Sequence, residues 1–226
     1  MRRTLIAGAT GALGGAIARE LASRGDRLCL HGRDGERLVA LADEVGPSPP
    51  VLIEADLMPG GEAERVVEAA VDHLGGLDLL VCAIGVVAFG PAREVSDETL
   101  SALMQVNLLA PIRLTRAAAA HMGRGATIVN ISAIVAEMPT AGMAAYSASK
   151  AALTAFDRAA ARELRREGIR LIDVRPPHLD TGLETRPIAG EAPRLPAGQD
   201  ATAWARRVVD AIDDPSRTDL GPEPEG

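Results

Sequence analysis

Aromatic side chains are nearly missing from this 226-residue chain, which has one Trp, one Tyr and two Phe, 2% of the sequence. The core must therefore be built from Ala, Val, Leu and Ile, and there are no stacking platforms for single-stranded nucleic acid. Positive charge is also short: 24 Lys and Arg stand against 31 Asp and Glu, a net charge of −7. Phosphate backbones need clustered cations, so no nucleic-acid partner is expected. The two cysteines, Cys29 and Cys82, lie inside apolar runs. They read as buried free thiols of a reducing compartment rather than a disulfide framework. No apolar run reaches the roughly 18 residues of a membrane span, and the N-terminus enters a strand directly. No membrane partner and no signal peptide are expected, and the location implied is cytoplasmic. His31, His73, His121 and His178 are scattered, and no His/Cys/Asp group has metal-ligand spacing, so no metal is implied.

What is present is ordinary for a soluble globule, 47% hydrophobic and 24% charged. Short apolar runs alternate with helical ones. Strands are expected at Thr4–Ala7, Arg27–His31, Val51–Ala55, Leu77–Ala83, Gly125–Ile131 and Ile169–Val174. Helices are expected at Ala16–Ser23, Glu36–Val45, Glu62–Leu74, from Ser96 through Asn107 to Met122, at Ala145–Glu167 and at Ala201–Ile212. A turn at Pro47–Pro50 separates the second helix from the third strand. The alternation predicts an α/β fold of one domain: a doubly wound parallel sheet between two helical layers, over residues 1–213. Residues 182–198, broken by Pro187, Pro193 and Pro196, suggest a lid over a site. Residues 214–226, with three further prolines, are expected to be a loose tail, with no seventh strand.

Three stretches carry chemistry. After the first strand comes Gly8-Ala9-Thr10-Gly11-Ala12-Leu13-Gly14, then a helix. This is the strand–turn–helix that binds a dinucleotide pyrophosphate on a helix N-terminus. At the end of the second strand, Gly32 stands where an acidic residue would hold a ribose 2′-hydroxyl, and Arg33 follows. That substitution suits a 2′-phosphate, hence NADP(H) over NAD(H). After the third strand, Asp56-Leu57 offers a carboxylate to an adenine amino group. The third stretch is Tyr146-Ser147-Ala148-Ser149-Lys150 at the start of a long helix. Positions i and i+4 share a face, so the phenol and the ammonium point the same way, and a nearby cation lowers a phenol pKa. Tyr146, the sole tyrosine, is thus a candidate acid/base.

In this order and spacing the pieces resemble the short-chain dehydrogenase/reductase family, from about Thr4 to Trp204. The matching positions are the Gly8/Gly11/Gly14 turn, Asp56-Leu57, Cys82-Ala83-Ile84-Gly85, Asn107, Asn130-Ile131-Ser132, Tyr146/Lys150 and Pro176 to Thr181. The resemblance implies a single Rossmann domain and a carbonyl/alcohol substrate. It implies Tyr146 as general acid, Lys150 on the nicotinamide ribose, Ser132 orienting the substrate oxygen and Asn107 holding a relay water. The cofactor contacts it implies are Gly8, Thr10, Gly11, Leu13, Gly14, Arg33, Asp56, Leu57, Ala83, Gly85, Tyr146, Lys150, Leu179 and Thr181. The sequence departs from the family at Ala7, at Cys82-Ala83 where Asn-Asn is usual, and at Pro177 where Gly is usual. Without a seventh strand, one tetramer interface is missing, which favours a homodimer, with a homotetramer as the alternative.

The serine is the least regular member. Many relatives place it thirteen positions before the Tyr, which here is Ala133; Ser132 is one position earlier. In a regular strand that offset turns Ser132 away from the nicotinamide. The inward reading has the strand ending at Ile131 and the turn aiming Ser132 at the substrate. The reading taken is an NADP(H)-dependent reductase, or the reverse dehydrogenase. Its alternatives are a dinucleotide-binding sensor without turnover and a non-redox enzyme using the same pocket. His178, at the site mouth, is a further candidate for substrate binding, though such a loop histidine is more often simply exposed.

Overall fold

The computed structural model describes residues 1–46 and 48–222. Seven parallel strands form one sheet in the order β3-β2-β1-β4-β5-β6-β7. They are β1 Arg3–Ala7, β2 Arg27–Gly32, β3 Val51–Glu54, β4 Leu77–Cys82, β5 Met122–Ile131, β6 Arg170–Val174 and β7 Asp219–Leu220. The helices are α1 Ala12–Ser23, α2 Gly35–Glu44, α3 Glu62–Leu74, α4 Asp97–Met104, α5 Ala110–Ala119, α6 Ala144–Glu167 and α7 Ala201–Asp213. The doubly wound, three-layer, single-domain expectation is met. Chain direction across the sheet reverses between β1 and β4, and ligands of such sheets bind outside the strand C-termini at that point.

The strands are buried on both faces, as parallel strands sandwiched by helices must be. On one side Ile17 and Leu21 of α1, Leu38 of α2 and Trp204, Val208 and Val209 of α7 pack on Ile6, Leu30, Leu79, Val129 and Ile172. On the other side α3, α5 and α6 pack on Leu5, Leu80, Ile128 and Leu171. Cys29 and Cys82 are free and buried, and burial pushes the Cys29 thiol up to about 12. Neither is a thiolate at neutral pH. Among the described residues, no helix is long and apolar enough to cross a membrane and no metal-holding cluster exists.

Four expectations are corrected. The helix through Asn107 is not continuous: α4 ends at Met104, a π turn occupies Gln105–Leu109 and α5 begins at Ala110. Helix α5 also stops at Ala119, and β5 starts at Met122 rather than Gly125. A seventh strand does exist, two residues long, paired with β6. Residues 214–222 are pinned rather than loose. The Arg170 guanidinium donates to the carbonyls of Asp214 (2.6 Å) and Arg217 (3.1 Å), and Arg175 holds Asp219 at 3.0 Å. The premise that favoured a dimer over a tetramer falls with it. Residues 223–226 of the expected tail, and Pro47 of the expected Pro47–Pro50 turn, lie outside the described residues.

Candidate active site

The glycine turn is built by contact. Gly8 has φ +84, which only glycine adopts without strain, and a Cβ there would stand 2.6 Å from the Ala83 carbonyl oxygen. A Cβ on Gly14 would stand 2.3 Å from the Gly8 carbonyl oxygen. The amides of Gly8 and Ala9 both donate to the His31 carbonyl, at 3.0 and 2.9 Å, fixing the turn over the end of β2. Helix α1 opens at Gly11, whose position carries no side-chain cap, so its first amides face outward as an anion site requires. Gly11 is exposed, while Thr10 and Leu13 are half-buried beside it. This cradle, which a Cβ would fill, fits a dinucleotide.

At the next strand end, a Cβ on Gly32 would lie 2.8 Å from the Thr10 side chain. Thr10 itself thus leaves no room there for an acidic residue. Arg33 is exposed and has no ion-pair partner among the described residues. Arg37, in α2, reaches back to the Thr10 carbonyl, and its amide is capped by Asp34 at 3.1 Å. Two guanidinium groups therefore flank the Gly32 corner. Arg37 is absent from the sequence-based set, because Arg33 precedes the extended N-cap Asp34 and no helical spacing joins the two. Asp56 is exposed, with Oδ1 accepting from the Met58 amide at 3.1 Å, and Leu57 is buried. His31, behind this corner, is 2% exposed, and burial lowers its pKa to about 4, so it is neutral at neutral pH.

Asn107 and Lys150 meet beyond the end of β4, and Tyr146 stands one turn before Lys150 on α6. The Asn107 amide clamps the segment after β4: its Oδ1 accepts from the Val86 amide and its Nδ2 donates to the Val86 carbonyl, both at 2.9 Å. Nδ2 also donates to Ser149 Oγ (3.0 Å), which donates to the Tyr146 carbonyl at 2.7 Å. Asn107 is fully buried on the π turn, an irregularity common at functional sites. A Cβ on Gly85 would lie 3.4 Å from Asn107 Oδ1 and 3.5 Å from Lys150 Nζ. Gly85, Asn107 and Lys150 are thus one cluster, with Ser149 its unforeseen bracket.

Tyr146 and Lys150 are 7% and 4% exposed. Lys150 Nζ donates to the Ile131 carbonyl at 2.9 Å. Burial lowers the ammonium to about 8, opposed by the charges of Asp173 and Asp157. Burial pushes the phenol up to about 12. The expected lowering by Lys150 is therefore not seen: desolvation sets the direction of the shift. The ring packs with Val87, Phe89, Leu103 and Met143, against Leu183 and Ala189 of the 182–198 loop.

That loop is docked on the segment after β4. The Ile188 amide donates to the Val87 carbonyl and the Phe89 amide to the Ala189 carbonyl, each at 2.9 Å. Gly190, at φ +72, lies so close to the Phe89 carbonyl that a Cβ would stand 2.0 Å from it. A cavity of about 450 Å³ opens between Phe89, Val95, Met143, Ala145, Ala189 and Glu191, where three irregular segments meet. Leu179 is buried in the core, and Thr181 begins the loop, its Oγ1 accepting from the Leu183 amide at 3.4 Å. His178 is half-buried, and its carbonyl takes the Gln199 amide at 2.9 Å.

Ser132 is not where the inward reading placed it. Its hydroxyl donates to the Lys150 carbonyl at 3.1 Å and lies 3.0 Å from Thr154 Oγ1. Asn130 and Ser132 are alternate residues of one extended segment, so both meet the body of α6, while Ile131 faces the α1/α7 core. Ala133, in extended conformation, follows at the point where the chain leaves the sheet.

This geometry meets an independent finding in the sequence. Residues 2–191 match the short chain dehydrogenase family. The chain belongs to that family. It is an oxidoreductase of the type, and the family binds a nicotinamide dinucleotide. Among curated relatives, an uncharacterised oxidoreductase of Methylorubrum extorquens is 34% identical over 82% of this chain and 77% of its own. A protein of Escherichia coli named as a cyclic-di-GMP-binding biofilm dispersal mediator is 32% identical over 80% and 74%. Among solved structures, a dehydrogenase/reductase from Sinorhizobium meliloti superposes with a TM-score of 0.87 at 28% identity, over 97% of this chain and 92% of that one. A short chain dehydrogenase from Burkholderia cenocepacia in complex with NADP gives 0.86 at 26%, over 97% and 94%.

Proposed function

We propose that this short-chain dehydrogenase/reductase is NADP(H)-dependent and interconverts a carbonyl and an alcohol, with Tyr146 as the acid/base. The observation that carries the reading is the convergence of Lys150 and Asn107 on Gly85 beyond the end of β4, with Tyr146 one turn before Lys150 on α6 and its carbonyl bonded into the Asn107–Ser149 bracket. When bound, the cofactor supplies the hydride. Burial keeps the Tyr146 phenol protonated through neutral pH, the state a proton donor to a carbonyl oxygen needs. Lys150, one turn along the same face, offsets the charge that donation leaves on the phenol oxygen. Asn107 and Ser149 fix that turn of α6 against the Gly85-Val86 segment. The docked 182–198 loop excludes water, and its apolar contacts, Leu183 and Ala189, favour an apolar group beside the carbonyl. The substrate oxygen would meet no serine, since Ser132 is bonded behind the helix. Ala133→Ser is expected to raise kcat. Ser132→Ala should destabilise the fold by the roughly 1–2 kcal/mol of a broken buried hydrogen bond, read as a lower melting temperature, with little change in turnover. A Ser132→Ala variant as inactive as one lacking the phenol hydroxyl would contradict this.

The preference for NADP(H) rests on the Gly32 corner, closed to an acidic side chain by Thr10 and flanked by Arg33 and Arg37. The NADP complex of the Burkholderia relative supports it. Each guanidinium–phosphate contact is worth about 1.5–3 kcal/mol, one to two decades in affinity. Titration should show Arg33→Ala losing about tenfold or more in NADPH affinity with NADH affinity unchanged. Equal loss for both cofactors would place Arg33 elsewhere.

A second reading, a nucleotide-binding sensor without turnover, is favoured by the name of the Escherichia coli relative. Steady NADPH consumption across a panel of aldehydes, ketones and β-keto thioesters separates the two.

A further inference from the structure

Beneath Lys150, on the side away from the cofactor cradle, lie two carboxyl groups that the reaction itself does not use. Asp157, two turns along α6, is 1% exposed, and Asp173, on β6, is 3% exposed. Each is reached from β5 by a hydrogen bond or a short chain of them. Asn130 Nδ2 donates to Asp157 Oδ1 at 2.6 Å, leaving Oδ2 without a bonding partner among the described residues. Ser132 Oγ lies 3.0 Å from Thr154 Oγ1, which donates to Asp173 Oδ1 at 3.4 Å. The same Ser132 hydroxyl donates to the Lys150 carbonyl, and Lys150 Nζ donates to the carbonyl of Ile131, the residue between Asn130 and Ser132. Strand and helix are thus laced at three consecutive strand positions around one lysine. We propose that Asp157 and Asp173 are positioning residues: through Asn130 and through the Ser132–Thr154 pair they hold Lys150 in place and keep its ammonium protonated, setting the alkaline limit of the site. The inference rests on the assignment of Lys150 to the cofactor site.

The charges around this cluster are few enough to enumerate. From β6 and the residue after it come Asp173 and Arg175, paired at 2.5 Å. From α6 come Asp157 and, along the groove outside, Arg158, Arg162, Arg165 and Arg166; from β7 comes Asp219; from β4 comes the neutral Cys82 thiol. Glu137, after the β5 strand, meets Arg158 at 2.8 Å and Arg175 at 3.2 Å. The π turn and the Gly85 segment bring only Asn107 and other neutral groups. Arg175 is thereby occupied by Asp173, Glu137 and Asp219, which limits its repulsion of the lysine. Burial pushes Asp157 up to about 8, so it is neutral at neutral pH and ionises in the range where Lys150 would lose its proton. A carboxyl that becomes an anion as the lysine approaches deprotonation opposes that loss. Both carboxyls also line an open groove of about 660 Å³ between α6 and β7, a route for proton exchange separate from the substrate pocket.

The test is the pH dependence of NADPH binding, read by fluorescence titration between about pH 6 and 9.5, in the wild type, Asp157→Asn and Thr154→Val. Asp157→Asn keeps the shape and the Asn130 bond but removes the charge. Its alkaline loss of affinity is expected to begin about half a unit to one unit lower. Between about pH 6 and 9 the affinity ratio should worsen by roughly threefold to tenfold relative to wild type. Thr154→Val, which cuts the link to Asp173, should shift the limb the same way, and Thr154→Ser should restore it. Variants that melt earlier at every pH but keep the wild-type limb would show a merely structural role and overturn the proposal. Turnover of Tyr146→Phe separates the two levels. If that variant stays active, the reading of the site fails; if it is inactive and the limb is unshifted, only the positioning role fails.

Discussion

Tyr146→Phe is expected to turn over about 10²–10⁴-fold more slowly than the wild type, with unchanged melting temperature and NADPH affinity. The ring is 7% exposed and packs with Val87, Phe89, Leu103 and Met143, contacts that phenylalanine keeps. The hydroxyl makes no hydrogen bond with another described residue, so its removal leaves no protein partner unsatisfied. What is lost is the proton donor alone, and Tyr146 is the only tyrosine in the chain. The measurement is kcat by cofactor absorbance, alongside a thermal melt and a cofactor titration. A variant within about threefold of wild type would remove Tyr146 from the chemistry.

Gly14→Ala is expected to disable the cofactor half with a single methyl group. Helix propensity alone favours the change by about 1 kcal/mol. Against that, the new Cβ would stand 2.3 Å from the Gly8 carbonyl oxygen and 3.2 Å from Ala9 Cα, both backbone atoms of the turn. Neither can rotate away, because the Gly8 and Ala9 amides are fixed on the His31 carbonyl. Overpacking of this kind costs about 1–3 kcal/mol, and for a chain of this size that lowers the melting temperature by roughly 2–12 °C. The turn must also open, so NADPH binding should fall at least tenfold. Gly11→Ala is the control: its Cβ meets only the Gly8 carbonyl oxygen, at 3.3 Å, with an ordinary φ of −75. That variant should fold normally and still bind NADPH more weakly, because the methyl group stands at the exposed mouth of the cradle. Normal binding by both variants would show that the cofactor lies elsewhere.

How much of this was legible in the sequence depends on the length scale of each feature. Strands and helices of four residues or more carry a period of their own, so the sheet and its cradle followed from Gly8, Gly11 and Gly14 after an apolar run. The π turn at Gln105–Leu109 did not, because one extra residue in a turn leaves the apolar spacing on either side intact. Asp219-Leu220 is too short to show any alternation, and pairs only because β6 offers its open edge. Ser132 was ambiguous for a sharper reason. Its direction depends on which face of β5 the helix covers, and the Lys150 carbonyl and Thr154 decide that from 18 and 22 positions away. The Tyr146/Lys150 pairing was visible as an i, i+4 spacing, whereas the sign of the phenol shift was not. Spacing encodes proximity to a cation; desolvation comes from Val87, Leu183 and other residues distant in sequence. Arg37 was hidden for the same reason: only its bond to the Thr10 carbonyl, 27 positions away, brings it to the Gly32 corner.

The most direct measurement of the central claim is deuterium transfer. NADPH carrying deuterium at the reactive C4 position would be incubated with the protein and a carbonyl found to consume cofactor in the panel. Hydride transfer at the Tyr146 site yields an alcohol with one deuterium on the former carbonyl carbon, in proportion to cofactor oxidised, and none from Tyr146→Phe. Product without deuterium, or formed equally without cofactor, would contradict the account.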